Sequence, residues 1–451
     1  MTITDIKRNT GTTIGHVGLA LIVEMARISS LDKLADQLSP TKMPQIREQD
    51  IFKTLLGLFS QGKTDFDHVR EYSGNDFFAT SLGLTRIPSA ETLRQRFQSI
   101  ALESNIEMLL PQCSVELWKR VAMRPELIEI KTKDELRKWV RLDIDVSIFD
   151  NSDTKKEGAS PTYDNRFGFA PIFAHLGGGW LVNAKLRPGS SHSSCEGTDA
   201  FILESMGYTR AMVSERILVI ADSGFDSQER LLVLASQPDT DFIIKHNLRR
   251  EPLDGWLDTA RKHALSVEDY KTDKERGRIY RGSVMREIGK KTSKRQVRQV
   301  FEVTEILSKK GRPLMMPEVR SCVLWTSIDL GPAEVLRLYR ERGTSEQYHA
   351  EFKSELDMER LPSGKFAVNA TFLRLGMLTY NMLRVISDDL ITAQMLGLKK
   401  ATRRRTKTVM RCVMDMCGRI TRHARKTILH VACSAPWYEV FCNVFHRLKT
   451  A

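Results

Sequence analysis

Two apolar runs that carry carboxylates constrain this chain more than any other feature. Residues 139–149, WVRLDIDVSIF, have the β-branched and aromatic content of a buried strand, yet Asp143 and Asp145 interrupt it. A carboxylate in such a place is costly unless it is paired or binds a cation. Side chains alternate along a strand, so the two acids share one face and either could be a ligand. A second run, 217–221 in RILVIADSGF, delivers Asp222 at its end, with Ser223 and Gly224 turning the chain. In open α/β sheets that edge is where ligands bind.

A third acid comes from a different kind of segment. In LYRERGTSEQYHAEFK the residues Tyr339, Arg342, Glu346 and Lys353 are spaced by three, four and seven. On one continuous α-helix they would lie within an arc of roughly 60°. Such a face sets a carboxylate that can hold a hard cation among phosphate ligands: the planar fork of Arg342, the point charge of Lys353 and the hydroxyl of Tyr339.

These segments together resemble the DDE transposases of bacterial insertion sequences, in the branch with the Y-(2)-R-(3)-E-(6)-K signature. LDIDVS is similar to the family's first-aspartate strand, which favours Asp145 over Asp143, and IADSGF to its second-aspartate block. LRPGSSHSS (186–194), DFIIKHN (241–247) and the segment 360–384 follow in the family's order. The resemblance implies a catalytic centre of Asp145, Asp222 and Glu346 holding two Mg²⁺ or Mn²⁺ ions. Oxygen-only ligands suit those metals, and no cysteine or histidine spacing suits zinc. It further implies hydrolysis at transposon ends, a hairpin intermediate and strand transfer. Tyr339, Arg342 and Lys353 would contact DNA. Trp256 could stack on a flipped base, although Leu253 and Leu257 beside it fit packing equally well. The rivals are a nuclease on the same fold without strand transfer and an inactive DNA-binding relic.

Global composition agrees. A formal charge of +13 and a pI near 9.4 suit a polyanionic partner, here double-stranded DNA. Seven cysteines without a CxxC pair read as reduced thiols of a cytoplasmic protein. The apolar run 17–23 is too short to span a membrane. Gly289-Lys290-Lys291-Thr292 lacks the glycine of a nucleotide-binding loop, so no nucleotide cofactor is expected.

The fold class expected is α/β: a ribonuclease-H-like core with a β-rich insertion, flanked by helical terminal regions. Residues 1–125 read as a helical DNA-end-binding domain, with a capped helix after Pro88-Ser89 that turns Leu93, Phe97, Ile100 and Ala101 inward and Arg94 and Arg96 elsewhere. Residues 138–246 carry the first part of the core, and Gly177-Gly178-Gly179 reads as a hairpin turn. Residues 247–330 form the insertion, with β-like pieces at 278–283, 297–307 and 319–327, and Trp325 in the core. Lys290, Lys291, Lys294, Arg295 and Arg298 offer it a DNA-backbone surface. Residues 331–385 return to the core with the glutamate helix and a helix packed on the catalytic sheet. Residues 386–451 read as a basic helical region, with eleven basic residues against Asp415 alone between 399 and 426, and helical pattern at 409–416 and 428–431. A homodimer is expected in the synaptic complex.

Overall fold

A computed structural model of the chain describes residues 15–38, 45–131, 135–290, 294–392, 403–423, 426–432 and 435–451. The chain divides into two compact units, one of Pro125–Ile148 and Ser160–His349, the other of Met1–Arg124, Phe149–Ala159 and Ala350–Ala451. The N-terminal and C-terminal regions, read separately from the sequence, thus fold into one unit.

The first of these units is built on a mixed sheet of ten strands: β1 (Leu127–Lys131), β2 (Leu136–Val146), β3 (Ile172–Leu176), β4 (Trp180–Lys185), β5 (Arg216–Ala221), β6 (Thr240–Lys245), β7 (Ala264–Lys271), β8 (Glu275–Ile288), β9 (Arg295–Lys309) and β10 (Arg312–Thr326). Their order across the sheet is β7-β8-β9-β10-β6-β5-β2-β3-β4, with β1 beside β2. β2, β3 and β4 are antiparallel neighbours, and β5 and β6 run parallel to β2. Helices Thr198–Arg210 and Gln228–Ala235 make the crossovers into β5 and β6. The parallel strands are buried throughout, as strands covered on both faces must be: 217–221 and 242–244 are all at most 1 % exposed. The glycine turn closes the β3–β4 hairpin as expected, with Gly178 and Gly179 at φ of 84° and 86°, where a side chain would be strained.

The insertion continues the same sheet. Its last strand, β10, pairs antiparallel with β6 through Ile243↔Thr326 and Lys245↔Leu324, and β7 to β9 extend outward from it as hairpins. The β-like pieces 278–283 and 297–307 lie within these strands, and 319–327 does so up to Thr326. The insertion has its own small core of Trp256, Leu257, Ala260, Tyr280, Phe301, Val303 and Val323, under helix Leu253–His263. Trp325 is buried, also as expected.

The second unit is mainly helical. In helix Ala90–Glu103 the hydroxyl of Ser89 accepts from the Thr92 amide at 3.2 Å, and the buried face is Ala90, Leu93, Phe97, Ile100 and Ala101. Phe97 meets Phe52, Phe66 and Phe372 with ring centroids 6.1–6.2 Å apart. Each such ring removed from water contributes about 2 kcal/mol. Phe372 belongs to the 27-residue helix Phe366–Thr392, whose Phe372, Leu373, Leu375, Met377, Leu378, Met382 and Leu383 are all buried. Its partners in this unit include the helices Glu48–Phe59, Ala90–Glu103, Ile106–Arg120 and Tyr438–Thr450, and it belongs to this unit, where the sequence reading had grouped it with the catalytic sheet. The C-terminal helical reading also needs correction. Helical turns at Thr406–Val409 and Met410–Met414 agree with it, but Cys417–His423 and Lys426–Val431 form a β-hairpin that Gly15–His16 joins.

Among the described residues no helix is long and apolar enough to cross a membrane. The six described cysteines are unbridged, and Cys433 lies outside the described residues, as do Lys291, Lys399, Lys400 and Arg425.

Candidate active site

Strand register brings the first two acids together. In the parallel pairing of β2 with β5, Ile144 stands opposite Ala221. One residue further along, Asp145, still within β2, and Asp222, just past the end of β5, lie at the same end of the two strands. Their charges oppose each other: burial first, and then the charge of Asp145, push the Asp222 carboxyl above its usual range. Asp145 goes the other way. Burial would raise it, but a hydrogen bond from His349 and the charge of Arg342 hold it below the ordinary value. The Arg342 Nη2 lies 2.8 Å from Asp145 Oδ1 and the His349 Nε2 3.4 Å from Oδ2.

Asp143 and Asp145, the two carboxylates of β2, have different surroundings. Asp143 is 2 % exposed and sealed by Arg141, whose Nε lies 2.8 Å from Oδ2. Arg141 sits two residues back on the same strand and face, so it neutralises Asp143 locally. That leaves Asp145 as the carboxylate beside Asp222.

The glutamate segment departs from the single helical face expected. The α-helix Pro332–Arg340 gives way to a 3-10 stretch, Glu341–Thr344, then a short α-helix, Ser345–Ala350, then a π-helical turn, Glu351–Glu355. Each change alters the residues per turn, so spacing no longer maps onto one stripe. Gly343 and Thr344 are weak helix formers, which favours the break where it occurs. Tyr339 packs partly buried on the sheet core, and burial pushes its phenol up to about 12 although Arg342 beside it favours the charged form. Lys353 falls in the helical unit, where it pairs with Glu359 at 2.8 Å.

Glu346 is exposed near the start of the short helix, three positions before His349 and so on the same side of it. Among the described residues no group of three His, Cys, Asp or Glu side chains stands close enough to hold a metal ion. Two of the acids converge, and the third does not complete the set. Arg342 stands close enough to Asp145 and Asp222 for its positive charge to offset theirs. The two half-buried carboxylates are oxygen donors of the kind that suits a hard divalent ion, and Glu346 lies on the segment that carries Arg342 and His349.

Sequence reasoning missed the surroundings of Asp145. Phe173 and His175 stand opposite Asp145 and Asp143 on β3, and their rings flank His349 at centroid distances of 5.2 and 5.0 Å. The signal available was His349 itself, at i+3 from Glu346.

Comparison with known proteins now decides the family. The family model described as transposase DDE domain group 1 matches residues 6–451. The chain belongs to that family. A comparison with curated proteins found no match. Among solved structures, one described as the cryo-EM structure of piggyBac transposase synaptic complex with hairpin DNA is similar at a TM-score of 0.40 and 10% identity, over 88% of this chain and 78% of that one.

Other residues of the transposase singled out from sequence are engaged inside their own units. Arg94 pairs with Glu91 at 2.8 Å and Asp67 at 3.5 Å, and Arg96 pairs with the buried Glu48. Arg94 is therefore partly neutralised by its own helix and by Asp67, and Arg96 by the helix that begins at Glu48. Trp256 is 3 % exposed in the insertion core, with its indole N–H donating to Glu251 Oε2 at 2.7 Å, so in this conformation it packs and presents no stacking face. In the insertion's basic set, Lys294 pairs with Glu287 at 2.7 Å, while Arg295 and Arg298 each donate to backbone carbonyls at 2.6 Å.

Glu251 also links the insertion of the transposase to the second-aspartate turn. His246 contacts Asp226 at 2.6 Å through Nδ1 and Glu251 at 2.8 Å through Nε2. Burial would lower the imidazole pKa, but the two carboxylate bonds outweigh it and raise the value. A raised pKa in the folded state means the protonated ring stabilises the fold below its unfolded pKa of about 6.5, and that this contribution fades as pH rises through the folded pKa. We expect wild-type melting temperature to fall over that window and His246→Gln to flatten the fall; identical pH profiles by differential scanning fluorimetry would show that the ring contributes nothing.

Proposed function

We propose that this transposase is a metal-dependent DNA strand-transfer enzyme of the insertion-sequence type, with a ribonuclease-H-like core. The observation that carries this reading is the register of β2 against β5, which sets Asp145 and Asp222 at one sheet edge. The strand order β4-β3-β2-β5-β6, three antiparallel strands followed by two parallel ones, supports the core assignment. Asp145, Asp222 and Glu346 would hold two Mg²⁺ or Mn²⁺ ions. When bound, such ions supply an activated water, a stabilised leaving oxygen and charge compensation on the phosphate.

The protein's own groups do the rest. Arg342, whose Nη2 lies 2.8 Å from Asp145 Oδ1, would grip a non-bridging phosphate oxygen through its fork. Tyr339, beside Arg342, would fix the direction of that fork. Lys353 supplies a further phosphate contact, and its loss should impair positioning more than metal binding. The substrate is double-stranded DNA carrying the element's ends, held by two copies of the chain in the synaptic complex, and a hairpin joins the two strands before insertion.

Incubation with end-bearing DNA tests this. In Mg²⁺ we expect nicked strands followed by hairpins on a denaturing gel, and neither in chelator. Cutting without hairpins or joining would make the protein a nuclease on this fold. Binding with no cutting in either Mg²⁺ or Mn²⁺ would reject the catalytic reading.

A further inference from the structure

The loop between β4 and helix Thr198–Arg210 lies against the second-aspartate turn. Its Ser194 hydroxyl donates to the Gly224 carbonyl at 2.8 Å, and Arg230 Nη1 donates to that same hydroxyl at 3.3 Å. A Cβ built on Gly224 would come within 2.6 Å of Ser193 Oγ and 3.1 Å of Asp222 Oδ1, so the serine hydroxyl and the carboxylate share one small neighbourhood.

The loop is built to stay in place. Arg187, only 6 % exposed, donates from Nε to the Ala170 carbonyl at 3.0 Å and from Nη1 to the His192 carbonyl at 3.3 Å and Cys195 Sγ at 3.3 Å. Gly189 packs so tightly that a Cβ there would fall 2.1 Å from the Ser160 carbonyl oxygen, and the Ser190 amide donates to Ser160 Oγ at 2.9 Å.

Within this fixed frame two donors are unspent. The Ser194 amide donates to His192 Nδ1 at 3.2 Å, so that nitrogen carries no proton and the neutral ring keeps its N–H on Nε2. His192 is exposed, and among the described residues neither its Nε2 nor the Ser193 hydroxyl has a hydrogen-bond partner. A neutral hydroxyl donor held beside a carboxylate is what a phosphodiester needs when it approaches two acids, and His192 is the neighbouring residue of the same anchored loop.

We propose that Ser193 and His192 Nε2 bind the non-bridging oxygens of a DNA phosphate next to the scissile bond, on the Asp222 side of the centre. This rests on the proposed strand-transfer chemistry, and it adds a second set of phosphate ligands from an element unrelated to the glutamate segment. The contact positions the strand and takes no proton.

The test pairs variants with modified DNA. Gln can reproduce an Nε2 donor, and Asn only the Nδ1 position, so His192→Gln should retain cutting while His192→Asn and Ser193→Ala slow it by on the order of tenfold to a hundredfold. Melting temperature should stay at the wild-type value in all three. Substrates with a neutral methylphosphonate at single positions around the cleavage site locate the contact: at one position the wild-type enzyme should fall to the rate of the variants, and the variants should lose nothing more. The same scan read as binding interference, in Glu346→Gln protein, reports the contact without cutting. Wild-type rates for the Ser193→Ala/His192→Asn double variant, or interference identical in its presence and absence at every position, would overturn the assignment. A protein that bound ends but cut nothing would instead reject the strand-transfer reading, and the interference scan would still decide this one.

Discussion

Asp222→Asn is expected to abolish strand cleavage, by on the order of a thousandfold or more, while raising the melting temperature of the metal-free protein. The loss follows from removing a ligand for ions whose charge stabilisation amounts to several kcal/mol. The gain in stability follows from the same side chain's electrostatics. Burial and the neighbouring Asp145 push the Asp222 carboxyl up, so ionising it costs more in the folded state than in the unfolded chain. The sign is fixed: an acid with a raised folded pKa destabilises the fold once pH exceeds its unfolded pKa. A neutral amide removes that repulsion. The expected gain is about 1 kcal/mol, or roughly 2–4 °C for a domain of this size. Scanning calorimetry with and without Mg²⁺ measures it: the ion should stabilise the wild type and not the variant. A variant less stable than wild type in chelator would mean that Asp222 is a structural acid.

The largest stability effect is expected away from the sheet. In the helical unit Glu351 is fully buried in the π-helical turn, with Arg403 Nη1 at 2.6 Å from Oε1. Its Oε2 accepts from the Thr406 amide at 3.2 Å and the Thr406 hydroxyl at 3.0 Å. Truncating it leaves a mostly buried guanidinium without its carboxylate. Breaking such a pair costs about 3–5 kcal/mol. Glu351→Ala should therefore lower the melting temperature by on the order of 10 °C. Replacing both partners, Glu351→Leu with Arg403→Met, should recover a large part of the loss, because a buried pair removed as a whole leaves no uncompensated charge. Additive losses in the double variant would show that the two side chains stabilise the unit independently.

What the sequence disclosed follows from the range of the interactions involved. The helix after Ser89 was legible because its cap and its i, i+4, i+7 apolar face are local. The insertion strands were legible because β-branched residues alternate between charged turns. Asp222 at the end of β5 was visible for the same reason, as the exit from an apolar run. Three features were hidden because they depend on residues far away in sequence. The hairpin at 417–431 contains β-branched Ile420, Thr421, Thr427, Ile428 and Val431, but its basic residues suggested a solvated helix, and the strand that joins it is Gly15–His16. The 3-10 and π irregularities around Glu346 reflect packing that overrides a uniform helical spacing. Arg141, which pairs with Asp143, was readable two residues upstream; what the sequence lacked was the knowledge that the strand's buried face would force them together.

The hydrogen bonds between β10 and β6 bear on how this protein can be cut down. The insertion is joined to the sheet along a row of backbone amides and carbonyls, so deleting it would strip a neighbour from β6 and bare that strand's edge. Exposed edges recruit strands from other molecules. Trimmed versions engineered to keep only the carboxylate-bearing strands should therefore self-associate, and a replacement segment would have to supply a pairing strand as well as span the gap.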